Sequence, residues 1–231
     1  MLRRRPSLVL FDLDGTLVDS APDLALAVDR MLVALGRQPA GEDRVRGWIG
    51  RGQPMLIKRA LTGDLWPEGM PEDYARAEAL YVDFYGEGLA ERSQLYPGVI
   101  ECLDALRALQ IPMACVTNKD SRFTARVLES LRILSYFDVL ASGDQFARPK
   151  PEPDALLDTA QRLGVAPEDA LMVGDSSADA KAARAAGMML VMVPYGYHGG
   201  ESVESFLPDL VLSDLSELPR WIEAAQPNAL H

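Results

Sequence analysis

The most informative stretch of this chain is Leu8-Val9-Leu10-Phe11-Asp12-Leu13-Asp14-Gly15-Thr16, near the start of the sequence. Apolar residues that give way to acidic and turn-forming residues are typical of a short buried strand that runs into a loop. Side chains alternate along an extended chain, so Asp12 and Asp14 face the same way. Two neighbouring carboxylates repel each other unless a cation or a shared proton relieves them, and Gly15 leaves the loop N–H groups free to face an anion. The stretch therefore predicts a cation site, an anion cradle and a potential nucleophile at one strand end.

Two simpler interpretations of this loop compete with a functional one. An acidic turn after a strand needs no chemistry, and calcium loops of the EF-hand type also carry alternating aspartates. The calcium loop fails, because counting Asp12 as its first ligand puts Leu17 where that loop needs a turn glycine. The acidic turn stays open until polar residues at the other strand ends are considered.

Length and composition are those of an ordinary globular protein. The 231 residues are 48% apolar and 25% charged, enough for one large domain or for one domain with an insertion. A net charge of −11 disfavours binding to nucleic acid or to an anionic membrane, so an anionic substrate needs a local positive site. No segment approaches the roughly 20 apolar residues of a membrane span, and no cleavable signal follows the basic start. Cys102 and Cys115 are far apart and need no partner, which favours the cytoplasm.

A helical block follows the aspartate loop. Ser20, Pro22 and Asp23 supply a capping residue, a first-turn proline and an acid three residues on, which together predict the start of a helix. Apolar residues then recur at helical spacing up to Gly36, namely Leu24, Ala27, Val28, Met31, Leu32 and Leu35. Residues 42–61 and 72–90 also have helical patterns, with no convincing strand among them. We therefore expect residues 20–92 to form a helical subdomain inserted into a core of residues 1–19 and 93–231.

Strands and helices alternate after this block. Apolar runs predict strands over 113–117, 139–141, 170–173, 189–193 and 210–212. Helical patterns predict helices over 99–109, 121–131 with Ser121 as its cap, 152–163, 179–186 and 215–225. The alternation predicts an α/β fold with a doubly wound, Rossmann-like parallel sheet and right-handed crossovers. Ligands of such sheets bind beyond the carboxyl ends of the strands.

Polar residues follow several predicted strands at that edge. Thr117-Asn118-Lys119 ends one strand, Lys150 lies in the loop after the next, and Gly174-Asp175-Ser176-Ser177-Ala178-Asp179 follows a third. Each group has a simpler explanation, since Thr117 and Asn118 could cap a helix, Lys150 could be a solvated loop residue, and Asp175 could belong to an acidic turn. Together with the aspartate loop, four such groups in order are better explained by one common site.

The four groups resemble the motifs of the haloacid dehalogenase superfamily of aspartate-nucleophile phosphotransferases. Asp12-Leu13-Asp14-Gly15-Thr16 is similar to the first motif, Thr117-Asn118 to the second and Lys150 to the third. Gly174-Asp175 with Asp179 is similar to the fourth, although Ala178 stands where an Asn is common. The motifs span residues 7 to 193, and the helical insertion is similar to the α-helical cap of one subgroup.

The resemblance implies a magnesium-dependent phosphoryl transfer with a role for each motif residue. Asp12 is expected to attack phosphorus and form an aspartyl-phosphate, while Asp14 protonates the leaving alkoxide and then takes a proton from the attacking water. Mg²⁺ takes oxygen ligands and usually keeps waters and a substrate oxygen. The implied metal ligands are Asp12, the backbone carbonyl of Asp14, Asp175 and, as a weaker ligand or an anchor, Asp179. The implied phosphate-binding groups are the Thr117 hydroxyl, the Asn118 backbone N–H and Lys150.

The substrate is open within small phosphoesters. Residues 11–24, 48–52 and 195–197 resemble the members of this family that act on 2-phosphoglycolate, which is therefore the expected substrate. A sugar phosphate, pyrophosphate or a phosphomutase reaction on the same scaffold remains an alternative, and so does a non-catalytic module that binds phosphorylated metabolites. A dehalogenase is disfavoured, because carbon–halogen displacement needs no metal ion.

The insertion offers a second candidate contact with the substrate. Gly50-Arg51-Gly52 is the turn expected to reach the active site, with Arg51 as a candidate for binding a carboxylate. A solvated arginine is the simpler interpretation of that residue. The sequence does not decide between a monomer and a homodimer, and only scattered apolar residues of the insertion hint at a contact between copies.

Overall fold

A six-stranded parallel sheet forms the centre of the computed structural model, which describes residues 4–225. The strands of that range are β1 (Leu8–Phe11), β2 (Val18–Asp19), β3 (Gln94–Leu95), β4 (Met113–Thr117), β5 (Val139–Ser142), β6 (Ala170–Gly174), β7 (Met189–Met192) and β8 (Leu210–Val211). Its α-helices are α1 (Ala21–Ala34), α2 (Glu42–Arg46), α3 (Gly52–Thr62), α4 (Tyr74–Glu87), α5 (Val99–Ala108), α6 (Ser121–Ser130), α7 (Asp154–Arg162), α8 (Ser177–Ala186) and α9 (Leu218–Glu223).

The strand order is β5-β4-β1-β6-β7-β8, with every neighbouring pair parallel. The chain builds outward from β1 through β4 to β5, then crosses back to β6 and builds outward on the other side. The order therefore reverses at β1, and such a reversal opens a crevice at the carboxyl ends of the central strands. This confirms the predicted doubly wound α/β fold.

Both faces of the sheet are covered, which explains the uninterrupted apolar runs of its strands. All residues of β1 and β4 are buried. Val9 and Phe11 pack into one hydrophobic cluster with α5, α6 and α9, whereas Leu8 and Leu10 pack into the other with α7 and α8. Parallel strands covered on both faces lose the alternating pattern of apolar and polar residues.

Helices α1 to α4 enclose a third hydrophobic cluster beside the sheet. Val28, Met31, Ile57, Tyr81 and Tyr85 are among its buried members. The short strands β2 and β3 pair antiparallel where the chain leaves the sheet region for these helices and where it returns. The two connections are thus held side by side.

One predicted helix is interrupted in the structure. The pattern over 42–61 predicts a continuous helix, but α2 ends at Arg46 and α3 begins at Gly52. Gly50, between the two helices, and Gly52, the first residue of α3, have positive φ angles of 114° and 75°, a backbone conformation that the interior of a helix does not contain. The break leaves a turn, 47–51, at the edge of the helical group.

Two predicted helix caps differ from the structure, although Ser20 does stand at the N-cap position of α1 as predicted. The side chain of Ser20 makes no capping bond, and Asp23 instead accepts hydrogen bonds from the backbone and hydroxyl of Ser93. Asp120 rather than Ser121 caps α6, because its side chain accepts a bond from a backbone N–H two residues on. In α1, Ser93 competes for the carboxylate of Asp23, and the spacing of residues in the sequence cannot reveal a partner so distant in the chain.

The remaining predicted elements agree with the structure to within three residues, except at the end of the chain. The predicted helix over 215–225 is a 3₁₀ turn, Leu215–Glu217, followed by α9. Pro219 lies in the first turn of α9, where its missing N–H costs nothing. Among residues 4–225, no helix combines the length and the apolar character needed to cross a lipid bilayer.

Candidate active site

The carboxyl ends of the central strands bring the predicted site residues together. Asp12 follows β1, Thr117 ends β4 and Asp175 follows β6. Asp12, Asp14, Thr117 and Asn118 line a cavity of about 50 Å³ between the sheet edge and the helices α1, α3 and α4. The parallel arrangement places these side chains at one edge although they are far apart in sequence.

Three buried carboxylates form the acidic part of the site. Asp12, Asp175 and Asp179 each offer an oxygen within 4.8 Å of the other two. Lys150 Nζ lies 3.0 Å from Asp12 and 2.7 Å from Asp179, and its side chain is 2% exposed. One ammonium faces three carboxylates, which leaves two negative charges for a divalent cation to balance. The charge and the oxygen donors therefore fit Mg²⁺.

Burial and mutual repulsion raise the pKa values of two of these acids. Burial, aided by the charges of Asp179 and Asp14, raises the pKa of Asp12 to about 7 despite Lys150. Burial and the charge of Asp179 hold the pKa of Asp175 well above its usual range. Carboxylates that resist ionisation in the absence of a cation are those that a bound cation stabilises most.

Hydrogen bonds distinguish the candidate metal ligands from the supporting acid. Asp179 is fully buried, with one oxygen taken by Lys150 and the other by the backbone and hydroxyl of Ser176. No residue of the described range donates a hydrogen bond to Oδ2 of Asp12. Asp12 therefore keeps one carboxylate oxygen free for a ligand. Both oxygens of Asp179 are occupied, which suits a residue that holds Lys150 and the loop after β6 in place.

Gly15 is required by both its conformation and its surroundings. Its φ angle is +92°, and a Cβ atom there would collide with the carboxylate of Asp175. Gly196 approaches Asp175 from the other side, and a Cβ atom on it would meet both Asp175 and the carbonyl of Gly15. The two loops therefore enclose the Asp175 carboxylate, which accepts hydrogen bonds from the Thr16 hydroxyl and from the backbone N–H of Tyr197.

Tyr197 links the acidic cluster to the connection with the helices. Its backbone N–H donates to Asp175, and its hydroxyl donates to Asp19 at 2.6 Å while accepting from the N–H of Ala21 at 2.9 Å. Asp19 also receives a two-pronged bond from Arg46 of α2. The sequence provided only a resemblance for residues 195–197, because these partners are distant in the chain.

The turn 47–51 and its neighbours close the cavity from the helical side. Gly50 and Gly52 line it, and a Cβ atom on Gly52 would lie only 3.0 Å from the carbonyl oxygen of Asn118. Arg51 does not line this cavity. Its guanidinium lies over the ring of Trp66 at 4.5 Å from the centroid, in an adjoining cleft. The structure therefore places Arg51 apart from the other candidate site residues. The cavity is also lined by three residues that the sequence did not predict, namely Gln53, Tyr81 and Tyr85.

Lys119 is the main site residue that sequence reasoning missed. Its Nζ lies 3.0 Å from both carboxylate oxygens of Asp14, and its side chain is 5% exposed. The strand end Thr117-Asn118-Lys119 put it near the site. No pattern indicated whether its side chain turns to solvent or to Asp14.

The fold and the site define a class of α/β enzyme with an acidic, lysine-balanced centre at the carboxyl edge of a parallel sheet. The chain belongs to the haloacid dehalogenase-like hydrolases, because the model of that family matches residues 6–187. This confirms the family that the four motifs predicted.

Similar proteins cover nearly all of the chain. A phosphoglycolate phosphatase of Nitrosococcus oceani is 43% identical over 224 residues, which cover 96% of this chain and 99% of the relative. Phosphoglycolate phosphatase 1 of Pseudomonas aeruginosa is 44% identical over 93% of this chain and 79% of its own. A crystal structure described as a predicted phosphoglycolate phosphatase from Haemophilus somnus has a TM-score of 0.87 at 32% identity, covering 96% of this chain and 99% of that one.

Proposed function

We propose that the protein hydrolyses 2-phosphoglycolate to glycolate and phosphate, in a Mg²⁺-dependent reaction through an aspartyl-phosphate on Asp12. The observation that carries the proposal is the position of Asp12, which borders the cavity with a carboxylate oxygen free of protein donors and lies 3.0 Å from Lys150. The names of the similar proteins support the choice of substrate.

The site residues divide the steps of the reaction among them. Asp12 attacks phosphorus as the bond to the ester oxygen breaks, and Asp14 gives that oxygen a proton. Water then attacks the phosphorus of the aspartyl-phosphate, and Asp14 takes its proton. Lys150, the Thr117 hydroxyl and the Asn118 backbone N–H stabilise the phosphoryl oxygens. A magnesium ion held by Asp12, Asp175 and the backbone carbonyl of Asp14, with Asp179 behind them, would neutralise phosphoryl charge.

The small cavity favours a small leaving group. The space of about 50 Å³ holds only a few water-sized groups, because a single water needs about 10–15 Å³. We propose that residues 20–92 act as a cap that excludes water and limits substrate size over the phosphate-binding core of residues 1–19 and 93–231.

A turnover screen tests the substrate. Phosphate release is measured from 2-phosphoglycolate, hexose phosphates and pyrophosphate, each with Mg²⁺ and with a chelator. We expect the highest kcat/KM on 2-phosphoglycolate and no turnover without the ion. A higher kcat/KM on a sugar phosphate, or transfer of phosphate between sugar positions, would support the alternative substrate or the phosphomutase. Tight phosphate binding without turnover of any ester would point to a non-catalytic binding module.

Mg²⁺ binding should weaken as the pH falls below about 7. The pKa of Asp12, raised to about 7 by burial, means that this acid holds a proton at lower pH and must release it before it can bind the ion. A ligand that must lose one proton to bind the ion makes the affinity fall by about tenfold for each pH unit below its pKa, and Asp175, whose pKa is also raised, makes the slope steeper. Titration calorimetry between pH 5.5 and 8 measures this slope. An affinity that does not change with pH would contradict the assignment of Asp12 as a ligand.

The Asp14→Asn variant should lose activity in a way that depends on the leaving group. On 2-phosphoglycolate, whose alkoxide needs a proton, we expect kcat to fall by about 10²–10⁴-fold. On p-nitrophenyl phosphate, whose leaving group departs as a stable anion, the first step should fall much less. Burst kinetics separate the two steps. Equal losses in the first step on both esters would remove the acid role from Asp14.

The cell compartment and assembly remain proposals. Cys102 and Cys115 are buried and unpaired, which supports a reducing compartment, and we propose the cytoplasm. The net charge of −11 supports a small metabolite rather than nucleic acid or a membrane as partner. We propose that the protein is a monomer or a homodimer.

A further inference from the structure

Lys119 is a cation beside Asp14 with no task in the proposed phosphoryl transfer. Among the described residues that line the cavity, it is the one lysine or arginine. An ammonium can donate three hydrogen bonds, and within residues 4–225 only Asp14 accepts from its Nζ. Lys119 therefore keeps one hydrogen-bond donor for a ligand in the cavity.

Tyr85 of α4 lines the same cavity and has an unused hydroxyl. The hydroxyl is buried and has no hydrogen-bond partner in the described part of the chain. Its ring is fixed by stacking on Tyr81, with centroids 5.7 Å apart, and by an edge contact with Phe123 at 4.9 Å. Leaving a buried hydroxyl unpaired is unfavourable, and a ligand that accepts its hydrogen bond recovers that cost.

The two groups lie close together. Lys119 Nζ is 4.8 Å from the centroid of the Tyr85 ring. Burial and the charges of Asp14 and Asp23 hold the pKa of the Tyr85 phenol well above its usual range, so the hydroxyl keeps its proton and can donate. One charged donor and one neutral donor thus border the space next to Asp14.

We propose that Lys119 and Tyr85 form a subsite for the carboxylate of the substrate, so that they select an anionic leaving group. The subsite rests on the proposed function, because Asp14 must reach the ester oxygen for proton transfer. A carboxylate attached one carbon from that oxygen then falls within reach of a lysine that touches Asp14. Two donors match the two oxygens of a carboxylate. Arg51, the carboxylate ligand expected from the sequence, lies instead against Trp66.

The charge of the surroundings supports this assignment. Asp12, Asp14 and Asp120 line the cavity, so a substrate carboxylate would be repelled without a local cation. Lys150 is already engaged by Asp12, Asp179 and the carbonyl of Val116. Among the described residues that line the cavity, Lys119 is the cation left to compensate a second negative group.

Comparison of two esters tests the subsite. 2-Phosphoglycolate and ethyl phosphate share a two-carbon leaving group and differ in the carboxylate. The measured quantity is the ratio of their kcat/KM values, because any general effect of a substitution on Asp14 cancels in it. We expect the ratio to fall by about 30–100-fold in Lys119→Met and about 5–10-fold in Tyr85→Phe. Lys181→Met, which removes an exposed lysine on α8, is the matched control and should leave the ratio unchanged.

A binding measurement separates this subsite from the catalytic proposal. Calorimetry on Asp12→Asn protein, with and without Lys119→Met, gives the affinities for both esters without turnover. We expect Lys119→Met to weaken the binding of 2-phosphoglycolate by about 30–100-fold and the binding of ethyl phosphate by less than about twofold. Equal losses on both esters, or unchanged affinities, would overturn the subsite and leave Lys119 as a residue that only positions Asp14. Failure of the unmodified enzyme to hydrolyse either ester would overturn the proposed function instead, and the binding result would still decide the subsite.

Discussion

Replacement of Asp12 by asparagine should abolish turnover while the protein stays folded. The amide has nearly the same shape but cannot attack phosphorus, so we expect kcat to fall by at least about 10⁴-fold, in line with the loss of other enzymatic nucleophiles. The measurement is steady-state phosphate release from 2-phosphoglycolate at saturating Mg²⁺. Because the substitution also removes one of three mutually repelling carboxylates, we do not expect the melting temperature of the metal-free protein to fall.

Asp144→Asn provides a matched control for this substitution. Asp144 accepts hydrogen bonds from Ser121 on the exposed side of α6, and it does not line the cavity. The same chemical change there should leave kcat within about twofold. An Asp12→Asn protein that retains a tenth or more of the unmodified kcat would refute the nucleophile assignment. A protein that fails to fold would show instead that Asp12 is structural.

Replacement of Lys150 by methionine should damage both stability and catalysis. Methionine fills similar space but leaves Asp12 and Asp179 buried without their ammonium, and breaking a buried pair in this way costs about 3–5 kcal/mol. Chemical denaturation of the metal-free protein measures this cost. Loss of the charge that stabilises the phosphoryl oxygens should lower kcat/KM by about 10²–10³-fold as well.

The stability loss in Lys150→Met should depend on pH with a definite sign. The pKa of Asp12 is already raised by burial, and it should rise further once Lys150 is gone. A carboxyl group whose pKa is higher in the folded state than in the unfolded state destabilises the folded state. This destabilisation grows as the pH rises above the pKa of the unfolded chain, which is about 4. The loss should therefore be larger at pH 8 than at pH 5. Lys181→Met is the control, and a loss that is equal at both pH values would contradict the assigned role of Lys150.

The fold was predictable because its signals are local or periodic. The apolar runs of β1 and β4 and the helical spacing of α1 each lie within a short window of sequence. The order of strands and helices then fixes the topology, because crossovers between parallel strands are right-handed. Details that depend on distant partners were missed, such as Asp23, which binds Ser93 instead of capping its own helix.

The core of the site was predictable for a similar reason. Asp12, Thr117 and Asp175 are at or just beyond strand ends, and parallel strands end at one edge. The directions of the side chains that surround the cavity were not predictable. Lys119 and Arg51 are both cations near the cavity, yet only Lys119 lines it, because Arg51 stacks on Trp66. Which of the two faces the substrate depends on the packing of helices onto the sheet, and the sequence alone does not give that packing.

Phosphate bonded to Asp12 during turnover would be the most direct sign of the proposed chemistry. The enzyme is mixed with 2-phosphoglycolate and Mg²⁺, quenched rapidly in acid, digested and analysed by peptide mass spectrometry. We predict a phosphorylated peptide that contains Asp12, that loses its phosphate to hydroxylamine, and that is absent from Asp12→Asn protein. Rapid turnover with the phosphate on another residue, or with no phosphorylated peptide at any quench time, would contradict the account.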